Sequence, residues 1–444
     1  MAKMKLPTQS DMMGMLHASG LKEKLIFTLI MIAVFRFGAQ VPIFGINSDI
    51  FAQIAKGNNL IGFLDLFSGG ALKKISVFAL GIGPFITASI IIQLMTAVIP
   101  HLEMLQKEEG EAGRRKISQY TRIFTVFIAV FQATIFALYL SKLQGTILPG
   151  VNHAMFFVDT IVSQTAGAVF IMWLAELITE RGIGNGGSLL IFAGIIAGIP
   201  VYWGRTAELV SGDPGKQLGL LILLAIFFAT ILLIIVLQEA IRKVIIVNAK
   251  RQVGNKVYGG VNTHIPFKLN PGGVMPIIFA VAIMLFPSTV LNVMGSRMSA
   301  GFWSDVTLFF NNEVLNPAKI PYYVIYFLLI VALTFFYASI MPNMQPKEIA
   351  TNLKKYGSSI PGIKPGKPTS DALDAILTKT TFIGALGLGI IALIPGVASH
   401  WTGINTLLGI GSTSLIIMVG VALDFINQIR THMLARQYEG FLKQ

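Results

Sequence analysis

The side chains that most often act in catalysis or hold metals are few and scattered in this sequence of 444 residues. There is no cysteine, which excludes disulfides, Cys-ligated zinc, iron-sulfur clusters and a thiol nucleophile. The glycine-rich run 182–187 has no strand before it and no Gly-Lys-Ser/Thr after it, so it is not a phosphate loop. The histidines show no HExxH or similar metal spacing. They are His17, His101, His153, His264, His400 and His432. The sequence therefore predicts no enzyme, no metal site and no cofactor.

Ionisable side chains inside apolar segments are the next candidates, because a charge within a membrane is costly and marks a functional position. Glu176 and Asp424 lie near one end of their segments and Asp159 near the opposite end of its own, where each reaches water. Arg36 lies deeper; it either extends toward the interface or pairs inside the protein, and a role in transport is the alternative. So few charges argue against a secondary transporter with a midplane site.

Long apolar segments position these residues. Hydrophobic residues make up 54% of the chain and charged residues 12%, against about 25% charged in soluble proteins. Ten segments have the length of a membrane span. They lie near 25–44, 75–98, 123–141, 155–178, 186–203, 218–238, 273–295, 321–341, 380–398 and 410–428. The basic start, with no small-residue cleavage site, predicts a retained first span rather than a removed signal peptide.

The distribution of basic residues sets the orientation of the ten spans. An even number of spans places both termini on one side, and the segments on that side hold 25 of the 34 Lys and Arg residues. The positive-inside rule makes that side cytoplasmic. This explains the net charge of +13 without a nucleic-acid partner, which is the alternative. Two cytoplasmic loops, 239–272 and 342–379, are long and basic, as expected of docking surfaces.

Two further features are not explained by topology. Segment 60–74, LIGFLDLFSGGALKK, is apolar but too short to cross a membrane. It is either an interrupted helix inside the protein or an interfacial helix on the lipid headgroups. In the second span Ile82, Ile86 and Ile90 share one helix face beside Pro84, which distorts a helix. Lipid-facing isoleucines are common, so this row alone does not decide a function.

Seven stretches give a more specific indication. They are LFSGGALKKISVFALGIGPFITASIIIQLM (66–95), GEAGRRKISQYTR (110–122), ITERGIGNG (178–186), NPGGVMPIIFA (270–280), LFPST (285–289), PKEIATNLKKYGSSIPGIKPGKPT (346–369) and STSLIIMVGVALD (412–424). In this order and between these spans, the chain resembles the SecY family from about residue 20 to residue 440. The resemblance implies an all-α integral membrane fold. Ten transmembrane helices form two inverted halves of five, 1–210 and 211–444, around an hourglass channel hinged near 204–217.

The resemblance also implies roles for individual residues. A pore ring would consist of Ile82, Ile86, Ile191, Ile278 and Ile417. A plug helix within 60–74 would include Phe63, Leu64, Leu66, Phe67, Gly69 and Gly70. A lateral gate would include Thr87, Gln93 and Phe286. Docking of the motor SecA or the ribosome would involve Arg242, Lys250, Arg251, Lys354, Lys355 and Lys364. Two positions depart from the family pattern, which commonly has Ile at Gly187 and Arg at Lys364.

The implied function is a passive, gated protein-conducting channel in the bacterial inner membrane, with both termini cytoplasmic and no cofactor. Unfolded precursor polypeptides would pass along its axis, and signal sequences and transmembrane helices would leave sideways into membrane lipid. The implied partners are SecE and SecG, in a heterotrimeric complex, together with SecA and the ribosome. A membrane enzyme, a secondary transporter and a nonconducting scaffold are the alternatives.

Overall fold

The structure is a computed structural model. It describes residues 20–48, 51, 65, 68–107, 110–143, 145–212, 216–248, 251–253, 256–258, 262–284, 305, 309–310, 313, 319–340, 345–402 and 412–442. For 205, 251–253, 256–258, 262, 399–400, 412 and 434–442 it describes the backbone only.

Helices dominate the described residues, with strands confined to two connecting loops. The helices are α1 (Leu21–Gly38), α2 (Gly83–Val98), α3 (Pro100–Lys107), α4 (Gly110–Lys142), α5 (His153–Arg181), α6 (Gly186–Gly212), α7 (Gln217–Glu239), α8 (Met275–Met284), α9 (Ile320–Ile340), α10 (Pro346–Lys355), α11 (Lys367–Thr402) and α12 (Ser412–Leu442). The strands are β1 (Ile241–Asn248), β2 (Arg251–Val253), β3 (Lys256–Tyr258), β4 (Asn262–Lys268) and β5 (Ser358–Ser359).

Each of the ten predicted spans overlaps one of these helices. Among the described residues, seven helices are long and apolar enough to cross a membrane: α4, α5, α6, α7, α9, α11 and α12. The other three are α1, which carries four charged residues, and the shorter apolar helices α2 and α8. Only 17% of the most apolar stretch of α7 is buried, so most of its side chains face outward, as expected of a helix surrounded by lipid. The prediction of a helical, multi-pass membrane protein is therefore confirmed.

The second predicted span begins differently from the prediction. The sequence pattern predicted a helix from 75, but α2 starts at Gly83, and Pro84 lies in its first turn instead of distorting its interior. Residues 68–82 form consecutive turns, most of them buried, and Ile75 has a positive φ of 46°. The backbone groups of this segment pair with the chain after α1: Ile43 N–H donates to the Ile75 carbonyl and Val77 N–H to the Val41 carbonyl, both at 3.0 Å. Irregular backbone is thus kept inside the protein.

The two long basic loops form one body, which we call the loop module (β1 to β4, α10, β5 and the first turns of α11). Antiparallel β1 and β4 pair from Ile241↔Lys268 to Val247↔Asn262, and β5 pairs with the far end of β1. Ser358 Oγ also donates to Asn248 Oδ1 at 2.8 Å. A small apolar core lies beneath, and its buried members are Val244, Phe267, Ile360 and Leu373. The sequence pattern did not predict this sheet.

The largest apolar core lies between the spans. Its buried members come from α1, α2, α5, α6, α7, α8, α9, α11 and α12, and also from the turns before α2. A second cluster, which includes Phe51, Ile75 and Phe156, lies under the turns that follow α1 and α4. The first core brings widely separated parts of the chain to one place, and the candidate site lies within it.

Candidate functional site

The five isoleucines predicted for the pore ring all belong to, or pack against, the largest apolar core, and we call these five residues the isoleucine cluster. Ile82, Ile191, Ile278 and Ile417 are at most 4% exposed, and Ile86 is partly buried and packs against the same core. They are contributed by the start of α2 and by α6, α8 and α12. Ile82 is the N-cap residue of α2, and its carbonyl accepts from Ile86 N–H at 3.1 Å, so the two side chains follow each other on one helix face.

Gly187, where the family pattern has isoleucine, is covered by neighbouring side chains. A Cβ built at Gly187 would lie 3.3 Å from Asn185 Oδ1, 3.4 Å from Ile82 Cδ1 and 3.9 Å from Phe85 Cε1. The first separation is tight and the other two are ordinary van der Waals contacts, so the side chains of Asn185 and of the start of α2 border this position. The position where the family commonly has isoleucine is therefore bordered by Asn185, Ile82 and Phe85 in the structure.

The end of segment 60–74 that the structure describes is held by a dense set of hydrogen bonds. Asp65, which is 5% exposed, pairs with Lys73 Nζ at 2.7 Å, and its Oδ1 accepts from Lys73 N–H at 3.0 Å. Its carbonyl accepts from Gly70 N–H at 2.8 Å and from Ser68 Oγ at 3.1 Å. Lys73 Nζ also lies 5.9 Å from the ring centroid of Tyr202 on α6. Phe63, Leu64, Leu66 and Phe67 lie outside the described residues.

Arg36 joins this segment to α1. Its Nη1 donates to the carbonyl of Gly69, so the structure favours pairing inside the protein over extension to the interface. Gly69 and Gly70 have φ values of 68° and 88°, a backbone region that glycine adopts without strain. A Cβ at Gly69 would lie 2.8 Å from Arg36 Nη1 and 3.1 Å from the Cα of Gly194 on α6. Gly69 therefore fits between α1 and α6 because it has no side chain, whereas a Cβ at Gly70 would meet nothing within 4 Å.

The predicted gate and docking residues are only partly described. Thr87 is half-buried on α2 and its Oγ1 donates to the Gly83 carbonyl at 3.0 Å; Gln93 is half-buried on the same helix. Phe286, Lys250 and the side chain of Arg251 lie outside the described residues. Of the predicted docking residues, Arg242 on β1, Lys354 and Lys355 at the end of α10, and Lys364 before α11 have exposed side chains on the loop module.

Sequence reasoning missed a set of contacts at the opposite end of the spans from segment 60–74. In the turn between α5 and α6, Ile183 N–H donates to Thr28 Oγ1 at 3.2 Å and Gly184 N–H donates to Gln428 Oε1 at 2.7 Å. It thereby connects α1, α5, α6 and α12. The glycine-rich run 182–187 that carries this turn was the available signal. Its glycines serve close packing, since a Cβ at Gly186 would collide with the Ala175 carbonyl.

No metal centre is found in the part of the chain that the structure describes, where no three His, Cys, Asp or Glu side chains are grouped so that they could hold an ion. The site therefore combines buried isoleucines in the largest apolar core, a hydrogen-bonded segment beside them and exposed basic side chains on the loop module.

Comparison with protein families identifies the chain. The SecY family model matches residues 76–426. The chain belongs to the SecY family. The protein translocase subunit SecY of Synechocystis sp. is 42% identical over 439 residues, which are 98% of this chain and 97% of that protein. The Vibrio cholerae subunit is 41% identical over 432 residues, 96% and 95% of the two chains. SecY relatives are protein-conducting channel subunits, and as a member of the family this chain is one too and not an enzyme.

Solved structures agree in fold. A structure described as that of a protein-conducting channel superposes with a TM-score of 0.65 at 17% identity, covering 93% of this chain and 92% of that one. Sec61 in the canine ribosome-channel complex superposes with a TM-score of 0.61 at 16% identity, covering 93% and 92%. The SecY fold implied by the sequence motifs is thereby confirmed.

The packing at Gly69 leads to a first prediction. Gly69→Ala and Gly70→Ala each place an alanine in left-handed backbone at a cost of about 1–2 kcal/mol, but only Gly69→Ala also crowds the Cα of Gly194 on α6 and requires the end of the Arg36 side chain to shift. We expect the segment to leave its position more often in Gly69→Ala. The chain has no cysteine, so the buried position of Ala71 can be probed with Ala71→Cys as the single thiol.

The thiol should react about tenfold faster with a maleimide in the Gly69→Ala background than in the Gly70→Ala background. This ratio corresponds to about 1.4 kcal/mol of additional opening free energy. Equal rates in the two backgrounds would show that the contact with Arg36 and Gly194 does not hold the segment.

Proposed function

We propose that the chain is the central channel of a bacterial protein-export complex, which passes unfolded secretory polypeptides across the inner membrane and releases transmembrane helices sideways into lipid. The observation that carries this proposal is that the five predicted ring isoleucines, contributed by four separate helices, share one apolar core in a chain of the SecY family. Energy for movement comes from partners. The 1–210 and 211–444 halves form the two walls of the channel.

The isoleucine cluster acts as the pore ring that seals the resting channel. Branched apolar side chains around a narrow passage exclude water and ions by dewetting. The stiffness of isoleucine at χ1 keeps the constriction in shape. The same side chains offer a passing polypeptide no hydrogen bonds that would retain it. The ring is therefore tight at rest and does not bind the substrate during passage.

Segment 60–74 acts as the plug on the outer side of the ring. Its hydrogen bonds to α1 and its contact with α6 support a defined resting position, and the adjacent glycines support a hinge at Gly69 and Gly70. Thr87 and Gln93 on α2, together with Phe286, belong to the lateral gate. Polar groups on this seam keep its closed state only moderately stable, so an apolar signal sequence can compete for it.

SecE, SecG, SecA and the ribosome are the proposed partners, with both termini and the loop module in the cytoplasm. The concentration of basic residues on that side supports the orientation. Because β1 and β5 pair, the residues of the two docking loops, Arg242 on one and Lys354, Lys355 and Lys364 on the other, belong to a single body. A partner bound to either loop therefore acts on α7, α8 and α11 together.

Reconstitution tests the proposed function directly. Vesicles that contain the chain and SecE, supplied with SecA and ATP, should import a protease-protected precursor polypeptide. Vesicles that contain SecE without this chain are the negative control, and vesicles that contain a related SecY channel are the positive control. Failure to import beside a working control would overturn the assignment.

The ring role predicts an ion leak. The double change Ile86→Gly and Ile278→Gly removes two side chains from the isoleucine cluster, so resting channels in a planar bilayer should conduct ions well above the parent. Ile222→Gly with Ile390→Gly is the matched control, because these isoleucines are 48% and 57% exposed on α7 and α11. Both pairs weaken helices equally, by about 1 kcal/mol per glycine. Conductance that is unchanged, or equal in the two pairs, would contradict the ring.

The docking role predicts a loss of partner affinity. Lys354→Glu with Lys355→Glu reverses two exposed charges at the end of α10 and should weaken ribosome and SecA binding at least about tenfold at low salt, with a smaller effect at high salt. Lys319→Glu is the control. Lys319 lies away from the loop module, and its Nζ pairs with Glu313 Oε1 at 3.1 Å. Co-sedimentation with ribosomes and SecA-stimulated import measure the effect. Binding as tight as that of the control would refute this surface.

A further inference from the structure

A polar cavity of about 230 Å³ lies where the loop module joins the helices. Its walls come from the last residues of α7, the turn 270–273 before α8, Tyr337 of α9 and the middle of α12. None of the predicted pore, plug, gate or docking residues lines it. The cavity is therefore separate from the sites proposed above, and its side chains require their own explanation.

One buried acceptor in the cavity has no partner. Asn270 is 1% exposed and its Nδ2 donates to the Gly273 carbonyl at 2.6 Å, which fixes the orientation of the amide. Its Oδ1 then has no hydrogen-bond partner in the described part of the chain. Such a group costs about 1–3 kcal/mol when it is left unsatisfied. A ligand with an N–H donor would remove this cost.

The charges around Asn270 favour a single positive charge. Glu239 and Asp424 contribute two carboxylates, and Lys268, which is exposed, contributes one ammonium, so the cavity carries a net charge of −1. Asn427 Nδ2 donates to Glu239 Oε1 at 3.1 Å and holds that carboxylate in place. A monovalent cation balances this net charge. A divalent metal ion would leave an excess positive charge, and it would lack a third acidic or histidine ligand among the described residues.

The remaining lining groups distinguish an arginine residue from a simple cation. The ring of Tyr337 lines the cavity and is held by an edge contact with Phe279 at 5.8 Å between centroids. Aromatic faces attract guanidinium groups, which also pair with carboxylates through two parallel N–H donors. Gln238 Nε2 is a buried donor without a partner in the described residues, and it suits a main-chain carbonyl. The combined set matches an arginine within a polypeptide.

We propose that this cavity is a receptor for one arginine side chain of a polypeptide. Its guanidinium lies between the Asp424 carboxylate and Asn270 Oδ1 beside Tyr337, and Gln238 donates to a peptide carbonyl of the same ligand. The arginine belongs either to a polypeptide that enters the channel or to a protein docked on the loop module. From either source, the same guanidinium group enters the place where α7, α8, α9 and α12 meet.

Binding can be measured on the full chain without any transport. Ile426→Cys introduces the single thiol, on an exposed position of α12 next in sequence to the lining residue Asn427, for a trifluoromethyl label read by fluorine NMR. The probes are N-acetyl-arginine amide, its lysine analogue and its neutral citrulline analogue. We expect a saturable shift with the arginine amide, binding at least about tenfold weaker with citrulline amide, and an intermediate affinity with lysine amide. Equal shifts for arginine and citrulline, or no saturation, would overturn the proposal.

An isosteric variant locates the binding. Asp424→Asn keeps the shape of the side chain and should weaken binding of the arginine amide at least about tenfold, while Asp371→Asn, near the start of α11 and outside the cavity, should leave that binding unchanged. Equal affinities in the two variants would place the binding elsewhere. The citrulline comparison uses the unaltered cavity and stands even if a variant misfolds.

Photo-cross-linking in the assembled complex identifies the polypeptide that supplies the arginine. A photo-reactive benzoylphenylalanine at position 426 is irradiated with an arrested precursor, with SecA or with ribosomes. A cross-link to the precursor that is lost when its arginines become glutamines supports the passing polypeptide. A cross-link to SecA or to a ribosomal protein supports a docked partner. The absence of any cross-link would contradict a polypeptide ligand.

Discussion

The rest of the structure depends on one constraint: a backbone N–H or carbonyl in the hydrocarbon of a membrane must find its partner within the protein. Helices meet this requirement by themselves, which explains why apolar runs of this chain become helices. Segment 68–82 does not, and it is therefore enclosed and paired with residues that follow α1. The position of irregular backbone thus marks where the protein, rather than lipid, surrounds the chain. That position is beside the isoleucine cluster.

The same constraint separates polar from apolar parts along the spans. The ion pair of Asp65 with Lys73 and the hydrogen bond from Arg36 to Gly69 lie on one side of the isoleucine cluster. The contacts of the turn between α5 and α6 lie at the other end. Polar contacts hold the elements in place at both ends, whereas the isoleucine side chains between them pack through dispersion and exclusion of water. In the proposed channel, a seal of this kind could be parted by a polypeptide and could close again without leaving an unpaired polar group.

The sequence predicted what depends on side-chain hydropathy and charge, and missed what depends on long-range pairing. The ten apolar segments and the bias of Lys and Arg are local properties and could be counted. The start of α2 at Gly83 could not be predicted in this way. Residues Ile75 to Ile82 are as apolar as a membrane helix, although their backbone forms turns inside the protein. The pairing of β1 with β5 joins residues more than 100 positions apart. The cavity beside Asn270 likewise depends on four helices that no periodicity relates.

The position of Ile82 connects two of these features. It is the last residue of the irregular segment that begins near Gly69 and also the N-cap of α2, and its side chain covers Gly187. An isoleucine at 187 would belong to α6 and would stay in place when the segment moved. Here Ile82 and Phe85, from the start of α2, lie next to that position. In the proposed channel a displacement of the segment at Gly69 would therefore act on the seal through Ile82, and opening one would favour opening the other.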